Sequence, residues 1–255
     1  MGTYAVADIH GCYYDWIQLK ERIEKEDADA KFILLGDIID RGKYQLHMLS
    51  WAYSNITIDG KYQMIIGNHE DEKIQWYDNY LTPIISTYEF EGRKFSLDEV
   101  EPDRYNFSTI FGDSDIGFGE FCKYIRWFRT LPYYKDIHVN GNRFILVHAN
   151  IPYSIINSDY SLKNNLSDKE KDYIIWNRDI SGFNKIPNTY LIHGHTPTIS
   201  ESAFPFGKYN KTELGRIVKT QNRYNIDCGI VFKSNYSNAN LAALRLDDFK
   251  EFYLY

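Results

Sequence analysis

Along the first third of the chain, short apolar runs alternate with stretches whose apolar residues recur every three or four positions. "TYAVAD" (3–8), "KFILLGD" (31–37) and "YQMIIGN" (62–68) are too short for helices and are bounded by turn-forming residues, which predicts three strands. Between them, Trp16, Leu19 and Ile23 repeat at helical spacing among charges over 15–27. "QLHMLSWAY" (45–53) predicts a second helix and "EDEKIQWYDNYL" (70–81) a third. This β-α-β-α-β order implies neighbouring parallel strands with right-handed crossovers, and sites in such sheets form beyond the carboxyl ends of the strands.

Residues 82–118 break the pattern and read as an inserted cap or loop region, rich in Ser, Gly, Asp and Phe. "EFCKYIRWFRTLP" (120–132) predicts a helix that ends at Pro132. Afterwards the character turns to β. "KDIHVNGNRFILVHAN" (135–150) carries an Asn-Gly pair between two apolar runs, a hairpin signal. Ser167 and Glu170 have capping-box spacing at the head of "SDKEKDYIIWNRD" (167–179), so Trp176 and Arg178 fall near the end of that helix. "NTYLIHGHTP" (188–197), "NRYNIDCG" (222–229), "NLAALRLDD" (240–248) and "EFYLY" (251–255) are further strand candidates, and 198–222 reads as a surface loop. The expectation is one α/β domain over 1–255 with a second, partly antiparallel sheet.

The polar residues that follow the apolar runs change the picture from fold to chemistry. In "FILLGDIIDRG" (32–42), an apolar run leads straight into Gly36, Asp37, Asp40, Arg41 and Gly42. By itself this reads equally well as an αβ turn with Asp40 capping the next helix. The other strand ends, however, deliver Asp8, His10 and Gly11; Gly67, Asn68, His69 and Glu70; His148; His193 and His195; and Asp227. Oxygen and imidazole donors without thiolate suit manganese, iron, zinc or magnesium. There are too many for one ion, and two ions sharing a bridging carboxylate can clamp a phosphoryl group and lower the pKa of a bound water. Asp37, on the middle strand of the first three, is the natural bridge.

Composition narrows the classes. The 255 residues are 44% hydrophobic with a formal net charge of −6, which argues against a partner rich in nucleic-acid phosphates. The three cysteines have no CxxC spacing, so neither a zinc knuckle nor a disulfide framework is indicated. No apolar run approaches 18 residues and no basic leader precedes the first strand. The expectation is a cytoplasmic protein, monomeric, with no membrane contact. His47 and His138 read as helix-surface, core or strand residues, and Cys12 as a packing residue.

"DIHG" (8–11), "GDIIDRG" (36–42) and "GNHE" (67–70) resemble, in order and spacing, the three signature blocks of the phosphoprotein phosphatase family of metal-dependent Ser/Thr phosphatases. "VHAN" (147–150), "IWNRD" (175–179), "HGHTP" (193–197) and "NIDCG" (225–229) are similar to its later blocks, and "HAN" is closest to the small bacterial and bacteriophage-lambda-type members. Ala7 stands where the family usually has Gly. The resemblance implies a calcineurin-like metallophosphoesterase β-sandwich flanked by helices, with two divalent ions, manganese first and iron or zinc as alternatives. It implies that Asp8 and His10 bind one ion, that Asp37 bridges, and that Asn68, His148 and one histidine of "HGHT" bind the other. Of the two, His195 is expected to be the ligand, since the family places it in the Gly-His pair, while His193 orients its neighbour. His69 would be the general acid oriented by Asp40, and Arg41 and Arg178 would hold phosphate. Asp227 is expected behind the site rather than in it. The implied activity is phosphomonoester hydrolysis on phosphoserine and phosphothreonine proteins or peptides, with diadenosine polyphosphate or other nucleotide hydrolysis as the alternative.

Overall fold

The computed structural model describes residues 1–81, 116–159, 161–179, 186–200 and 213–254. Most of the inserted region expected at 82–118, and 201–212 of the loop expected at 198–222, lie outside the described residues.

Strands β1 (Thr3–Val6), β2 (Lys31–Leu34) and β3 (Tyr62–Met64) pair in parallel, with Val6, Leu34 and Met64 in register. Helices α1 (Tyr13–Glu26) and α2 (Gln45–Asn55) provide the crossovers. A third helix, α3 (Asn68–Trp76), follows β3 and runs into a π-helical turn at Tyr77–Leu81. Helix α4 (Phe118–Phe128) stops short of Pro132, whose carbonyl accepts from Ile66 N at 2.9 Å. The Asn-Gly hairpin forms between β4 (Tyr134–Val139) and β5 (Asn142–Val147), with Asn140 and Gly141 both at positive φ, as a type I′ turn requires. Helix α5 (Asp168–Trp176) opens with the Ser167–Glu170 capping box. Next come β6 (Thr189–His193), β7 (Val218–Thr220), β8 (Arg223–Asn225), β9 (Ala242–Arg245) and β10 (Glu251–Tyr253).

The strands form two five-stranded sheets, ordered β10-β9-β1-β2-β3 and β4-β5-β6-β8-β7. Strand β7 corrects the expectation of unbroken loop over 198–222: three residues along an edge pair antiparallel with β8 and are too few to show a period. β9 and β10 extend the first sheet, β9 running antiparallel to β1.

Strand parity then separates two cores. Ala5, Ala7, Ile33 and Leu35 face Phe144, Leu146 and Ile192 in the layer between the sheets. Tyr4, Val6, Phe32 and Leu34 point the other way, into the cluster that holds Trp16, Leu19, Ile23 and Met48 of the helices. Both sheets are therefore buried on both faces along their central strands, which is the sandwich flanked by helices. The parallel strands β1, β2 and β3, and β5, β6 and β8, carry the polar residues at their carboxyl ends. Among the described residues, no helix is long and apolar enough to cross a membrane.

Candidate active site

The backbone at these strand ends is unusual. Ten described non-glycine residues have positive φ, and six of them are Asp8, His10, Asp37, Asp40, Arg41 and His195. Left-handed backbone at such residues costs about 1–3 kcal/mol each and persists only where the surroundings over-determine it. Here the surroundings are close-packed loops. Gly36 has φ +84°, and a Cβ there would strike the backbone of Gly67, so the loops after β2 and β3 meet at two glycines. A Cβ on Gly194 would collide with Asp8, which lets the loop after β6 lie directly on the one after β1.

Glu70 locks that contact. Its fully buried carboxylate accepts from Asp37 N (2.8 Å), Ile38 N (2.9 Å) and Gly67 N (3.0 Å). Burial, with the neighbouring Asp37 charge, pushes its pKa up to about 7. No role for Glu70 follows from the sequence, because its partners are backbone groups 3 to 33 residues away. Glu70→Ala would orphan three buried donors at about 1–3 kcal/mol each, so we expect a stability loss of about 3 kcal/mol or more in denaturant titration. Glu70→Gln should lose less, since its one carbonyl oxygen still accepts.

Four of the expected ligands converge. His148 Nε2 lies 2.9 Å from Asn68 Oδ1, 3.1 Å from His195 Nδ1 and 3.4 Å from Asp37 Oδ2, all in residues 6% exposed or less. His148 Nδ1 donates to Leu35 O at 2.8 Å, so a neutral His148 has no proton on Nε2. Four lone pairs then face one another in a buried space, an arrangement that demands a cation. Without a metal, a proton takes that place. Burial alone would lower the His148 pKa, but Asp37 more than offsets it and the value rises to about 10. Asp37 conversely is held below the ordinary carboxylate range by His148, His10 and His69, against the effect of burial. His195, buried beside His148 and Arg178, is pushed down to about 3, and its Nε2 has no hydrogen-bond partner.

A second group, His10, Asp37 and His69, brings ligand atoms within 4.8 Å of one another. His10 Nδ1 donates to Ile39 O (2.8 Å), and its Nε2 accepts from Arg41 Nη1 at 3.0 Å while facing Asp37 Oδ2 at 3.6 Å. Burial lowers the His10 pKa to about 4, so the ring is a neutral donor of its lone pair. Asp8 stands slightly apart: both its oxygens accept from His195 N (3.1 and 3.0 Å). Burial and the Asp227 charge raise its pKa well above normal. Asp227 is itself buried, its pKa pushed up to about 7 by burial, and its Oδ1 accepts from Gly229 N at 2.9 Å.

His69 sits in the first turn of α3, half-buried at the edge of this cluster. Its Nδ1 is 2.7 Å from Asp40 Oδ2, and the same oxygen takes Lys73 Nζ at 2.8 Å. Burial alone would lower the His69 pKa, but Asp40 and Asp37 raise it. Lys73, one helical turn on from His69, went unmarked in the sequence because an i,i+4 lysine is common on any helix.

Arg178 is exposed and follows α5. Its Nη1 donates to His195 O (2.9 Å) and Thr196 Oγ1 (3.0 Å), leaving Nε and Nη2 without partners among the described residues. His193 turns away from the cluster: Nε2 accepts from Arg223 Nε (2.8 Å) and Nδ1 donates to Gly194 O (3.0 Å). His47 is exposed among the rings of Tyr13, Tyr14 and Tyr44, and burial pushes the Cys12 thiol up to about 12.

Comparison with known proteins agrees with this fold. The calcineurin-like phosphoesterase family matches residues 1–231. A symmetrical bis(5′-nucleosyl)-tetraphosphatase of Methylobacillus flagellatus is 36% identical over 81 residues, 32% of this chain and 28% of that protein. The serine/threonine-protein phosphatase 2B catalytic subunit A1 of Saccharomyces cerevisiae is 33% identical over 85 residues, 33% of this chain and 15% of its own length. The matched stretches thus span less than half of these curated relatives. A solved protein serine/threonine phosphatase from Saccharomyces cerevisiae superposes with a TM-score of 0.54 at 11% identity, covering 99% of this chain and 78% of that one, which bears on the fold alone. With nine-tenths of its length matched and both sheets in place, the chain belongs to the calcineurin-like phosphoesterase family.

Proposed function

We propose that this chain is a two-metal phosphoester hydrolase acting on nucleoside polyphosphates such as diadenosine tetraphosphate. The observation that carries the metal reading is the convergence of Asn68, His148, His195 and Asp37 lone pairs on one buried point. That donor set fits a divalent ion, with manganese first and iron or zinc as alternatives. Asp8 and His10 would hold a second ion, with Asp37 between the two. When bound, such ions activate a water and offset charge on the phosphoryl group. The nucleotide reading rests on the likeness to nucleosyl-tetraphosphatases and departs from the protein substrate implied by the signature blocks.

The protein's own groups supply the rest. His69, held by Asp40, presents its Nε2 toward the cluster, 3.8 Å from Asp37 Oδ2, and donates a proton to the leaving oxygen. Arg178 offers Nε and Nη2, without partners among the described residues, to phosphoryl oxygens, for which a planar fork suits. Arg41 would take the same part through the nitrogens other than Nη1, which is held on His10 Nε2.

Metal binding should displace a proton, because His148, pushed up to about 10 by Asp37, holds one at neutral pH without a cation. That proton must be lost for the ion to bind, so apparent affinity should climb with pH from neutrality up to about pH 10. Calorimetry in buffers of different ionisation enthalpy would show net proton release at pH 7.5. Proton uptake there would contradict the assignment.

Phosphoserine and phosphothreonine proteins are the second reading, favoured by the likeness to the 2B phosphatase. The deciding assay offers the manganese-loaded protein diadenosine tetraphosphate and a phosphoserine peptide. Preferential nucleotide cleavage is expected. Turnover of the peptide alone would select the second reading, and turnover of neither with any divalent ion would overturn the hydrolase reading itself.

A further inference from the structure

Arg178 lies two residues past the end of α5, outside regular structure, so its direction depends on what holds the segment 177–179. The carbonyl of Asp179, immediately after it, is gripped twice. Asn150 Nδ2 donates to it at 2.6 Å and to Asn177 Oδ1 at 2.8 Å. Arg223 Nη1 donates to the same carbonyl at 3.0 Å. Arg223 is 5% exposed and Asn150 4%, and neither touches the lone-pair cluster around Asp37. A cation buried so far is costly unless hydrogen-bonded, and Arg223 uses Nε and Nη1 on His193 Nε2 and Asp179 O.

The two arginines thereby close a circuit. Arg223, on β8, ties the end of β6 at His193 to Asp179. Arg178, next to Asp179, reaches back to His195 O and Thr196 Oγ1, just past β6. Asn150 adds the end of β5. Groups past the ends of β5 and β6 and at the start of β8 thus fix one exposed guanidinium, whose Nε and Nη2 have no partner among the described residues. An arginine fork pre-set in this way loses less side-chain freedom when it takes a phosphate.

We propose that Arg223 and Asn150 are positioning residues that aim Arg178 at the phosphoryl group, acting through the Asp179 carbonyl. This rests on the reading that Arg178 binds phosphate. It concerns substrate affinity rather than ion content, which separates it from a role of Arg223 through His193 on the loop of His195.

The test uses the full chain loaded with manganese. It measures calorimetric affinity for inorganic phosphate, KM and kcat on p-nitrophenyl phosphate, ions per chain, and melting temperature. Arg178→Ala should weaken phosphate about tenfold, as loss of a charge-assisted contact does. Arg223→Met should weaken it about three- to tenfold, raising KM more than it lowers kcat, with both ions retained. Asn150→Ala should move the same way by about threefold. The double variant Arg178→Ala/Arg223→Met should be no weaker than Arg178→Ala within about twofold, because residues acting in one chain are not additive. Arg223→Lys, which keeps a cationic donor, should recover part of the affinity and covers the case in which Arg223→Met does not fold.

Unchanged phosphate affinity in both Arg223→Met and Asn150→Ala, or in Asn150→Ala alone where Arg223→Met does not fold, beside a clear loss in Arg178→Ala, would overturn the positioning role and leave the Arg178 reading intact. So would full additivity in the double variant, or loss of an ion in Arg223→Met. Unchanged affinity in Arg178→Ala would overturn both.

Discussion

His69→Asn is expected to lower kcat on an alkyl phosphate monoester by roughly 10²–10⁴ while both ions stay bound. An alkoxide is a poor leaving group and needs a proton as its bond to phosphorus breaks. His69 is the side chain placed to give it, with Nδ1 fixed on Asp40 and Nε2 facing the cluster. The loss should shrink on p-nitrophenyl phosphate, whose leaving group is far less basic. It should shrink likewise on diadenosine tetraphosphate, where the departing group is a phosphate. Comparing the three substrates separates proton donation from a structural effect, which would damage all equally. Equal losses would also arise if His69 served as a ligand, a role its place in the group with His10 and Asp37 makes geometrically open. Counting ions in the variant then distinguishes the two.

The second large effect concerns the two histidines of "HGHT". His195→Ala is expected to remove one ion and nearly all turnover. His195 Nδ1 faces His148 Nε2 at 3.1 Å, and its backbone N–H secures Asp8, so the loop itself should survive truncation of the ring. His193→Ala should keep two ions with a moderate loss of rate. Its ring is turned onto Arg223, and removing it leaves that buried guanidinium short of an acceptor. Metal analysis and steady-state rates on both variants decide the matter. The reverse pattern would move the ligand to His193, and loss in both would mean shared ligation.

The elements most legible in the sequence were those written in local chemistry. The Asn140-Gly141 turn, the Ser167–Glu170 box and the three strand-helix alternations each depend on residues within one turn or one strand of each other. The convergence at the strand ends was legible for a different reason: parallel strands place their carboxyl ends on one edge, so a polar residue after each run lands in a predictable place. Strand β7 escaped because three edge residues show no period. The placement of β9 beside β1 escaped because an antiparallel partner more than 230 residues away leaves no local mark. The roles of Glu70, Asn150 and Arg223 escaped because each acts through groups supplied by another loop, and Lys73 because an i,i+4 lysine is common on any helix. His193 and His195 were inseparable by strand parity. The chain separates them by leaving the strand at His193 and taking His195 into left-handed backbone.

The cluster of lone pairs is divided between the layers. Asp37 and Asn68 follow strands of the first sheet, whereas His148 and His195 follow strands of the second. A cation held by all four is therefore a staple across the sandwich, joining parts of the chain that separate on unfolding. By mass action, a ligand bound only to the folded state stabilises it by about 2.7 kcal/mol at a hundred times its dissociation constant. The resistance of this fold to heat and proteolysis would then follow the free metal concentration of its surroundings, and a chelator would loosen the seam between the sheets together with the first turn of α3.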